Sequence, residues 1–544
     1  MSPLRAPAAQ LRLLRQREVR VPAFQRADRT RERAPGERSG WHGEPAPMWP
    51  VLAGCLVISA LTLLLPSTPT YDPWAWILWG REILELDLNT RGGPSWKPFP
   101  MFFTVPFSVT GTDIAPYLWL WIARAGGLFA CAMTYRIARR LVGGGYGIVA
   151  GVLAALALFS SFKYVRDAAL GNSEALLAAF ILWAFERHMD GRRDHALYLG
   201  FAAALLRPEI WPFLGIYGLW LWVVEPRLRL RMVLMAASIP VLWLGPELWG
   251  SGDALRASTR ANNPNPGSAA FAEHPALELF ERFRMVVIAP VKAGFVLAAA
   301  YAIYRWIRYR AEAATLAVLI GGVSWLALVA GMTEAGYAGN PRYLIVSTAV
   351  VALLGGIGAT RVVQAMGWVV ERLSGNRRAG LAAATVTCIA ATAVSSGFII
   401  DKANNTGRVT GGLEHEAELW HDFQKLAERT GEDRLLACGG AYSGPFQIPM
   451  IAWELGIHGI QIGWKETVPP AMLFRTRTVP DGPLVVRPTD GRFRQVDRLG
   501  KWRLLTVPPE GRNACPKASA DAPTAPKSAE WRAGPPTDGS LGSR

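Results

Sequence analysis

The chain has 544 residues, of which 51% are apolar and only 18% are charged, and its mean hydropathy is positive at +0.18. A soluble protein of this size needs a charged surface, so the composition excludes a water-soluble globule, and it also excludes a disordered chain, a coiled coil and a collagen. The 22 Trp residues suit a membrane–water interface, and five Cys residues are too few for a disulfide-built scaffold.

Apolar stretches of about 20 residues, the length that crosses a bilayer, recur along the chain. The fifth and sixth stretches are divided only by Arg207-Pro208-Glu209, where the proline ends a helix and indicates a tight turn. We predict an α-helical polytopic membrane protein with about eleven spans, at residues 48–66, 114–135, 146–162, 172–186, 195–206, 209–224, 232–249, 285–304, 313–331, 343–360 and 379–399.

The charges between the spans predict the orientation, because linkers rich in Lys and Arg stay in the cytoplasm. Alternate linkers carry a net charge of +10, and the opposite set carries −1. We therefore place the N terminus in the cytoplasm and residues 400–544 outside. The net charge of +16 then reflects membrane topology, and no nucleic-acid partner is predicted.

Four segments follow from these patterns. We predict a disordered basic tail at 1–47, a transmembrane catalytic domain at 48–400, an extracytoplasmic α/β domain at 401–516 and a disordered tail at 517–544. Periodicity within the third segment predicts helices and strands in alternation. They are helices at 413–428 and 447–455 and strands at 434–440, 484–486 and 502–507.

The first outer loop, residues 67–113, is too long for a simple connector. Its helix begins near Tyr71 and carries Asp72 and Glu82, with Trp76 and Trp79 in an apolar stripe. We expect this helix to lie flat on the outer leaflet. The Asp-Pro start also fits a helix cap, so a capping role for Asp72 stands beside a functional one.

Further charged residues open the later outer loops. Glu174 begins a span, Arg207 and Glu209 flank the Pro208 break, and Arg342 precedes Tyr343 at the tenth span. A carboxylate near hydrocarbon is costly unless it is paired, so such residues are functional candidates. Alternatively, Glu174 is an acid in the first turn of a helix, where the helix dipole stabilises it, and each arginine anchors its helix at the membrane interface. Together with Asp72 and Lys97, these residues predict a concave site at one membrane face.

Two cysteines fall outside the predicted spans. Cys438 and Cys515 lie in the segment that we place in an oxidising compartment, where disulfides persist. We predict that they pair.

Several motifs resemble the GT-C-fold glycosyltransferases. These are the acid soon after the first span, Asn172-Ser173-Glu174 in the second outer loop, Leu206-Arg207-Pro208-Glu209, and Pro341-Arg342-Tyr343. The resemblance covers about residues 48–400. An actinobacterial-type branch is similar in its Trp79-Gly80-Arg81-Glu82 helix and Lys-Pro turn. Members of this family are integral membrane enzymes that use polyprenyl-phosphate sugars. The resemblance implies a cell-envelope enzyme in the plasma membrane of a bacterium.

The resemblance implies a hexosyl- or pentosyltransferase that inverts the anomeric centre at the outer face, with a glycan, lipid or protein as acceptor. It implies Asp72 as the catalytic base, and it assigns the donor phosphate to Lys97, Arg207 and Arg342. The substrate cavity would be lined by Tyr71, Glu82, Glu174, Glu209 and Tyr343.

The chain departs from the family pattern in two places. It has a single acid, Asp72, where relatives have an acidic pair, and Trp96-Lys97-Pro98 where relatives often have His-Pro-Pro. The use of a divalent metal therefore stays open, and no other cofactor is predicted. A secondary transporter and a non-enzymatic envelope-assembly protein remain the alternatives. An outward cavity that joins the charged residues would favour the enzyme.

Overall fold

The structure is a computed structural model. It describes residues 40–507 except residues 44, 265–266, 432–434, 437–438 and 465–466, and except the side chains of 399, 402–406 and 408. Both predicted disordered tails lie wholly or largely outside the described residues. So do Cys438 and Cys515, and their pairing stays a prediction.

The molecule is mostly helical. In chain order the helices are α1 (Trp49–Thr62), α2 (Tyr71–Leu84), α3 (Pro98–Ser108), α4 (Ala115–Val142), α5 (Gly144–Phe159), α6 (Phe162–Ala169), α7 (Glu174–Met189), α8 (Arg193–Ala204), α9 (Trp211–Val224), α10 (Arg229–Ser251), α11 (Arg256–Ala261), α12 (Pro275–Arg284), α13 (Ala289–Tyr309), α14 (Ala313–Glu334), α15 (Ile345–Ser374), α16 (Arg377–Thr430) and α17 (Ile448–Glu454).

Every predicted span coincides with a helix, namely α1, α4, α5, α7, α8, α9, α10, α13, α14, α15 and the first part of α16. Within the described residues, four helical segments are long and apolar enough to cross a membrane alone. Two further helix pairs are bent by 68° and 109°, and the number rises to six if each pair is counted as one span. The chain is therefore a multi-pass membrane protein, and the count of eleven spans stays a prediction.

Small residues bring the membrane helices close together. A Cβ atom on Gly358 of α15 would lie 1.8 Å from the carbonyl oxygen of Gly294 on α13, and one on Gly356 would lie 2.5 Å from the backbone of Ala154 on α5. Such contacts are typical of helix packing in lipid, where close backbone approach replaces the hydrophobic driving force. They make α15 the buried centre of the bundle.

A six-stranded sheet follows the last span. Its strands are β1 (Gly440–Ser443), β2 (Ile462–Gly463), β3 (Ala471–Arg477), β4 (Leu484–Val485), β5 (Arg494–Leu499) and β6 (Trp502–Val507). The order is β2-β1-β3-β6-β5, with β4 paired to β3. The helix expected at 413–428 is continuous with the last span in α16, which has 54 residues. The strand expected at 434–440 is wrong in position, because Leu435 and Leu436 are helical and β1 begins at Gly440.

The helix of the first outer loop is buried, and the expectation of a surface helix is wrong. Trp76 and Trp79 are 0% and 1% exposed. Helix α17 packs on α2, and Arg81 donates to the carbonyl oxygens of Trp453 and Ile457 at the end of α17, at 2.9 and 3.0 Å. The apolar stripe therefore joins a core shared with the C-terminal region instead of the lipid.

Candidate active site

Asp72 lies in the first turn of α2 and does not cap it. The N-cap position belongs to Thr70, which has an extended backbone, and no side-chain capping bond is present there. The Asp72 carboxylate instead accepts a hydrogen bond of 2.6 Å from Arg342 Nη2. The capping interpretation is therefore wrong for this residue, and the side chain is used for a contact between distant parts of the chain.

A short 3₁₀ turn, Pro341–Leu344, presents Arg342 to Asp72. The Asn340 side chain caps the turn by accepting a hydrogen bond from the Arg342 backbone N–H at 3.0 Å. This bond fixes the position of the Arg342 backbone, from which the side chain extends to Asp72. Its guanidinium also donates to Asn172 Oδ1 at 3.1 Å. Arg342 thus bridges the first two outer loops.

Glu174 is the centre of the charge cluster. As the first residue of α7 it faces three cations: Arg207 Nη1 at 2.7 Å, Lys97 Nζ at 3.4 Å and Arg342 Nε at 3.8 Å. The Glu174 side chain is 1% exposed. A buried carboxylate is stable only with such partners, so its position sets the spacing of all three cations.

Lys97 is held at the start of α3 by surrounding groups. Its ammonium donates to Ser173 Oγ at 2.9 Å and lies 4.9 Å from the centre of the Trp76 ring. Burial lowers the pKa of Lys97, because a charged ammonium loses hydration there. The lysine is thus a desolvated cation, and electrostatic attraction to an anion is strong in such surroundings.

Arg207 and Glu209 form a second buried pair beside Glu174. Arg207 Nη2 lies 2.5 Å from Glu209 Oε1 and donates to the Tyr337 hydroxyl at 2.8 Å. The Arg207 guanidinium lies 3.9 Å from the centre of the Tyr343 ring. The extended Arg207 backbone before Pro208 allows this geometry, since a residue preceding proline avoids the helical region.

Two cavities meet at Asp72. The smaller, of about 80 Å³, is lined by the cations Lys97, Arg207, Arg260 and Arg342, with Asp72 as the acid. The larger, of about 370 Å³, is lined by Asp72 and Asn172 on one side. Residues of α16, α17 and the turn after β3 line its other side, namely Glu416, Leu419, Met450, Thr478 and Val479. Asp72, Tyr71 and Arg342 line both cavities.

Most of the predicted site residues gather here. Glu174 and Glu209 belong to the charge cluster but line neither cavity, and Glu82 lies apart from the cluster. Its carboxylate contacts His458 Nδ1 at 2.8 Å and accepts from the Asn89 backbone at 2.9 Å, and it lines neither cavity.

Arg260 and Tyr337 were not predicted. Arg260 lies in the short helix α11, and Tyr337 lies in the loop between α14 and the turn Pro341–Leu344. The position of Tyr337 shortly before the Pro341-Arg342-Tyr343 motif is the sequence feature that could have indicated its role.

The acidic side chains of the cluster are paired with cations and do not form a group of metal ligands. Among the described residues, no group of three or more His, Cys, Asp or Glu side chains could hold a metal ion. Each acid of the cluster lies next to a cationic side chain: Asp72 to Arg342, Glu174 to Arg207, and Glu209 to Arg207. In this arrangement Lys and Arg side chains supply positive charge to the smaller cavity.

No protein-family model matches the chain, and the search of curated proteins gives no match. The fold is nevertheless that of the GT-C class of membrane proteins, as predicted. The solved structure that shows this is ArnT from Cupriavidus metallidurans bound to undecaprenyl phosphate. Its TM-score is 0.51 at 13% sequence identity, over 85% of this chain and 98% of that one. The apo state of the same ArnT gives a TM-score of 0.48 at 14% identity, over 84% and 97%.

Proposed function

We propose that this protein is a membrane glycosyltransferase that moves a sugar from a polyprenyl-phosphate donor to an acceptor hydroxyl at the outer face of the membrane. The observation that carries the proposal is the position of the Asp72 carboxylate on the wall common to a cation-lined cavity and a larger open one. The fold shared with ArnT, whose crystal structure holds undecaprenyl phosphate, supports a polyprenyl-phosphate carrier.

The smaller cavity suits the donor phosphate. Its volume of about 80 Å³ admits a phosphate group without a sugar, and four cationic side chains line it. Arginine forks bind phosphate oxygens in pairs, and Lys97 adds a desolvated point charge. The sugar would then extend past Asp72 into the larger cavity, which has room for it and for the acceptor.

The reaction follows from this placement. Asp72 takes the proton from the acceptor hydroxyl while that oxygen forms a bond to the anomeric carbon. The bond between the anomeric carbon and the phosphate oxygen breaks, and the electron pair leaves with the polyprenyl phosphate. Attack from the side opposite the leaving group inverts the anomeric centre. The developing phosphate charge is stabilised by Lys97, Arg207 and Arg342, so no general acid is required.

The ion pair between Asp72 and Arg342 suggests that the donor binds before Asp72 accepts the proton. The Arg342 guanidinium engages the Asp72 carboxylate at 2.6 Å, so this oxygen must leave that contact before it can accept from an acceptor hydroxyl. A donor phosphate in the smaller cavity competes for the same guanidinium, since Arg342 lines that cavity. Donor binding would therefore release Asp72 to act on the acceptor, which limits proton transfer to sites that already hold a donor.

The test compares strains that carry the native gene, no gene, or the Asp72→Asn variant. Membrane lipids and envelope glycans are extracted and analysed by mass spectrometry for a sugar that depends on the gene. We expect the glycosylated product only with the native gene, at equal protein levels in the membrane. A product of normal abundance from Asp72→Asn would contradict the assigned base. Identical lipid and glycan profiles with and without the gene would contradict the function.

A further inference from the structure

A second cationic cavity lies in the C-terminal region, apart from the charge cluster at Asp72. Its volume is about 220 Å³, and Arg477, Arg498, Lys501 and Arg503 line it together with His415. No Asp or Glu is among its lining residues. An excess of cations around a concavity of this size is typical of a binding site for a small anion.

The strand register places like charges opposite one another beside this cavity, which Arg498 and Arg503 line and Arg475 does not. Arg503 of β6 pairs with Arg475 of β3 on one side and with Arg498 of β5 on the other. Directly opposed residues of antiparallel strands share a face, and like charges in such pairs destabilise a sheet. This row of three arginines across three strands therefore costs stability unless an anion neutralises it.

Two of these arginines have no acidic partner in the structure. Lys501 is paired with Glu418 at 2.7 Å, and Arg477 donates to the carbonyl oxygen of Gly482. Within the part of the chain that the structure describes, no carboxylate pairs with the side chains of Arg498 and Arg503. Their guanidinium groups are available to a ligand.

The cationic cavity is a direct neighbour of the larger cavity at Asp72. His415 lines the former and Glu416 the latter, so one turn of α16 contributes to both. The turn after β3 does the same, with Arg477 on the cationic side and Thr478 and Val479 on the other. The two cavities therefore lie next to each other, on successive residues of the same two segments.

We propose that the cationic cavity binds an anionic group of the acceptor, a phosphate or a carboxylate carried on a sugar, while a hydroxyl of the same acceptor reaches Asp72. This rests on the proposed glycosyl transfer. It adds that the acceptor is an anionic glycan or glycolipid. Guanidinium forks match the oxygens of both anions, so Arg498 and Arg503 would supply the recognition.

The experiment uses the full chain in lipid nanodiscs and measures binding of glucose 6-phosphate, glucuronate and uncharged glucose by calorimetry. The variant Arg498→Gln with Arg503→Gln removes the two unpaired cations. The matched control, Arg487→Gln with Arg494→Gln, removes two exposed cations of the same region that do not line the cavity. Undecaprenyl phosphate binding is measured on every variant.

We expect the unmodified chain to bind one or both anionic sugars and not glucose. The ratio of the two affinities distinguishes phosphate from carboxylate. Loss of Arg498 and Arg503 should weaken that binding by on the order of tenfold or more, as charge-assisted hydrogen bonds disappear. The control pair should leave it unchanged.

Equal weakening by both pairs would show general attraction to a basic surface and would overturn the proposal, as would binding of glucose alone. Undecaprenyl phosphate binding separates this proposal from the proposed function. If the chain binds no undecaprenyl phosphate but holds the anionic sugar through Arg498 and Arg503, the donor assignment fails and the anion site stands.

Discussion

The two ends of helix α7 each carry a buried ion network, and only the network at its start includes a carboxylate that lines a cavity. At its start, Glu174 joins Lys97, Arg207 and Arg342, and Asp72 extends this network to the walls of two cavities. At its end, the predicted cytoplasmic side, Glu186 contacts Arg136 at 2.9 Å and Arg140 at 3.6 Å.

The network at the end of α7 also lies beside a cavity, which is lined by Arg136, Arg139 and Arg140. Its acids, Glu186 and Asp190, line no part of that cavity, and their side chains are 0% and 1% exposed. A buried ion pair is by itself weak support for function, because many such pairs only hold helices together. The difference lies in whether a carboxylate reaches a space that a substrate can occupy.

The largest expected effect comes from Asp72. Asp72→Asn keeps the shape of the side chain and its contact with Arg342, yet it cannot accept a proton. The rate of sugar transfer should fall by about 10²–10⁴-fold. Arg342 keeps its contacts with Asn172 and Glu174, so the loss of stability should be smaller than in Glu186→Gln. The assay follows transfer from a polyprenyl-phosphate sugar in nanodiscs. Wild-type transfer by this variant would make Asp72 a structural residue and would contradict the assigned base.

The second prediction concerns the opposite end of α7. Glu186→Gln leaves buried arginine charges without their partner, so unfolding should become easier by about 3–5 kcal/mol. Protein that remains folded should transfer sugar at the normal rate, because Glu186 lines no cavity in the described structure. Denaturation in detergent, with the exposed Glu371→Gln as control, measures the first effect. A loss of sugar transfer without a loss of stability would contradict a purely structural role for the network at Glu186.

A smaller effect is expected at Lys97. Lys97→Ala should lower the affinity for undecaprenyl phosphate by on the order of tenfold, since one charge-assisted contact is lost. Because burial lowers the pKa of Lys97, binding to the unmodified chain should also weaken as the pH rises, and at a lower pH than an exposed lysine would cause. Binding titrations across alkaline pH test both points. A pH-independent affinity would contradict a charged Lys97 at the phosphate.

The smallest expected effect concerns His458, in the C-terminal region that packs over the network at the start of α7. The hydrogen bond to Glu82 raises the pKa of His458 in the folded protein. The resulting stabilisation is fully present below the unfolded value of about 6.5 and is lost as the pH rises through the folded pKa. The unfolding temperature of the native chain should therefore approach that of His458→Gln at high pH. A difference that is constant with pH would contradict this role.

Local patterns predicted the membrane part of the fold well. Hydropathy located the helices, because lipid demands long apolar segments, and charges such as Glu174 and Arg207 stood out at span ends since they are costly there. The convergence of Asp72, Lys97 and Arg342 followed from placing their loops on one face, but their pairing did not, because contacts across 270 residues leave no periodic signal.

The errors arose where distant segments dock. The Trp76 and Trp79 stripe has the same spacing whether it faces lipid or protein, and only the contact with α17 distinguishes the two. Strand β3 was missed because Ala471 to Phe474 are buried in succession and show no alternation. Glu82 was assigned to a cavity because no local pattern indicates its partner His458, which lies more than 370 residues away.

Helix α16 couples the bilayer to the larger cavity mechanically. Its 54 residues span about 80 Å as one rod, well beyond a hydrocarbon core of about 30 Å. The lower part, Arg377–Phe398, is apolar and only 6% buried within the molecule, whereas Glu416 and Leu419 further along form cavity wall. Helices tilt to match membrane thickness. A change in membrane thickness would therefore act on a helix that also forms part of the cavity wall.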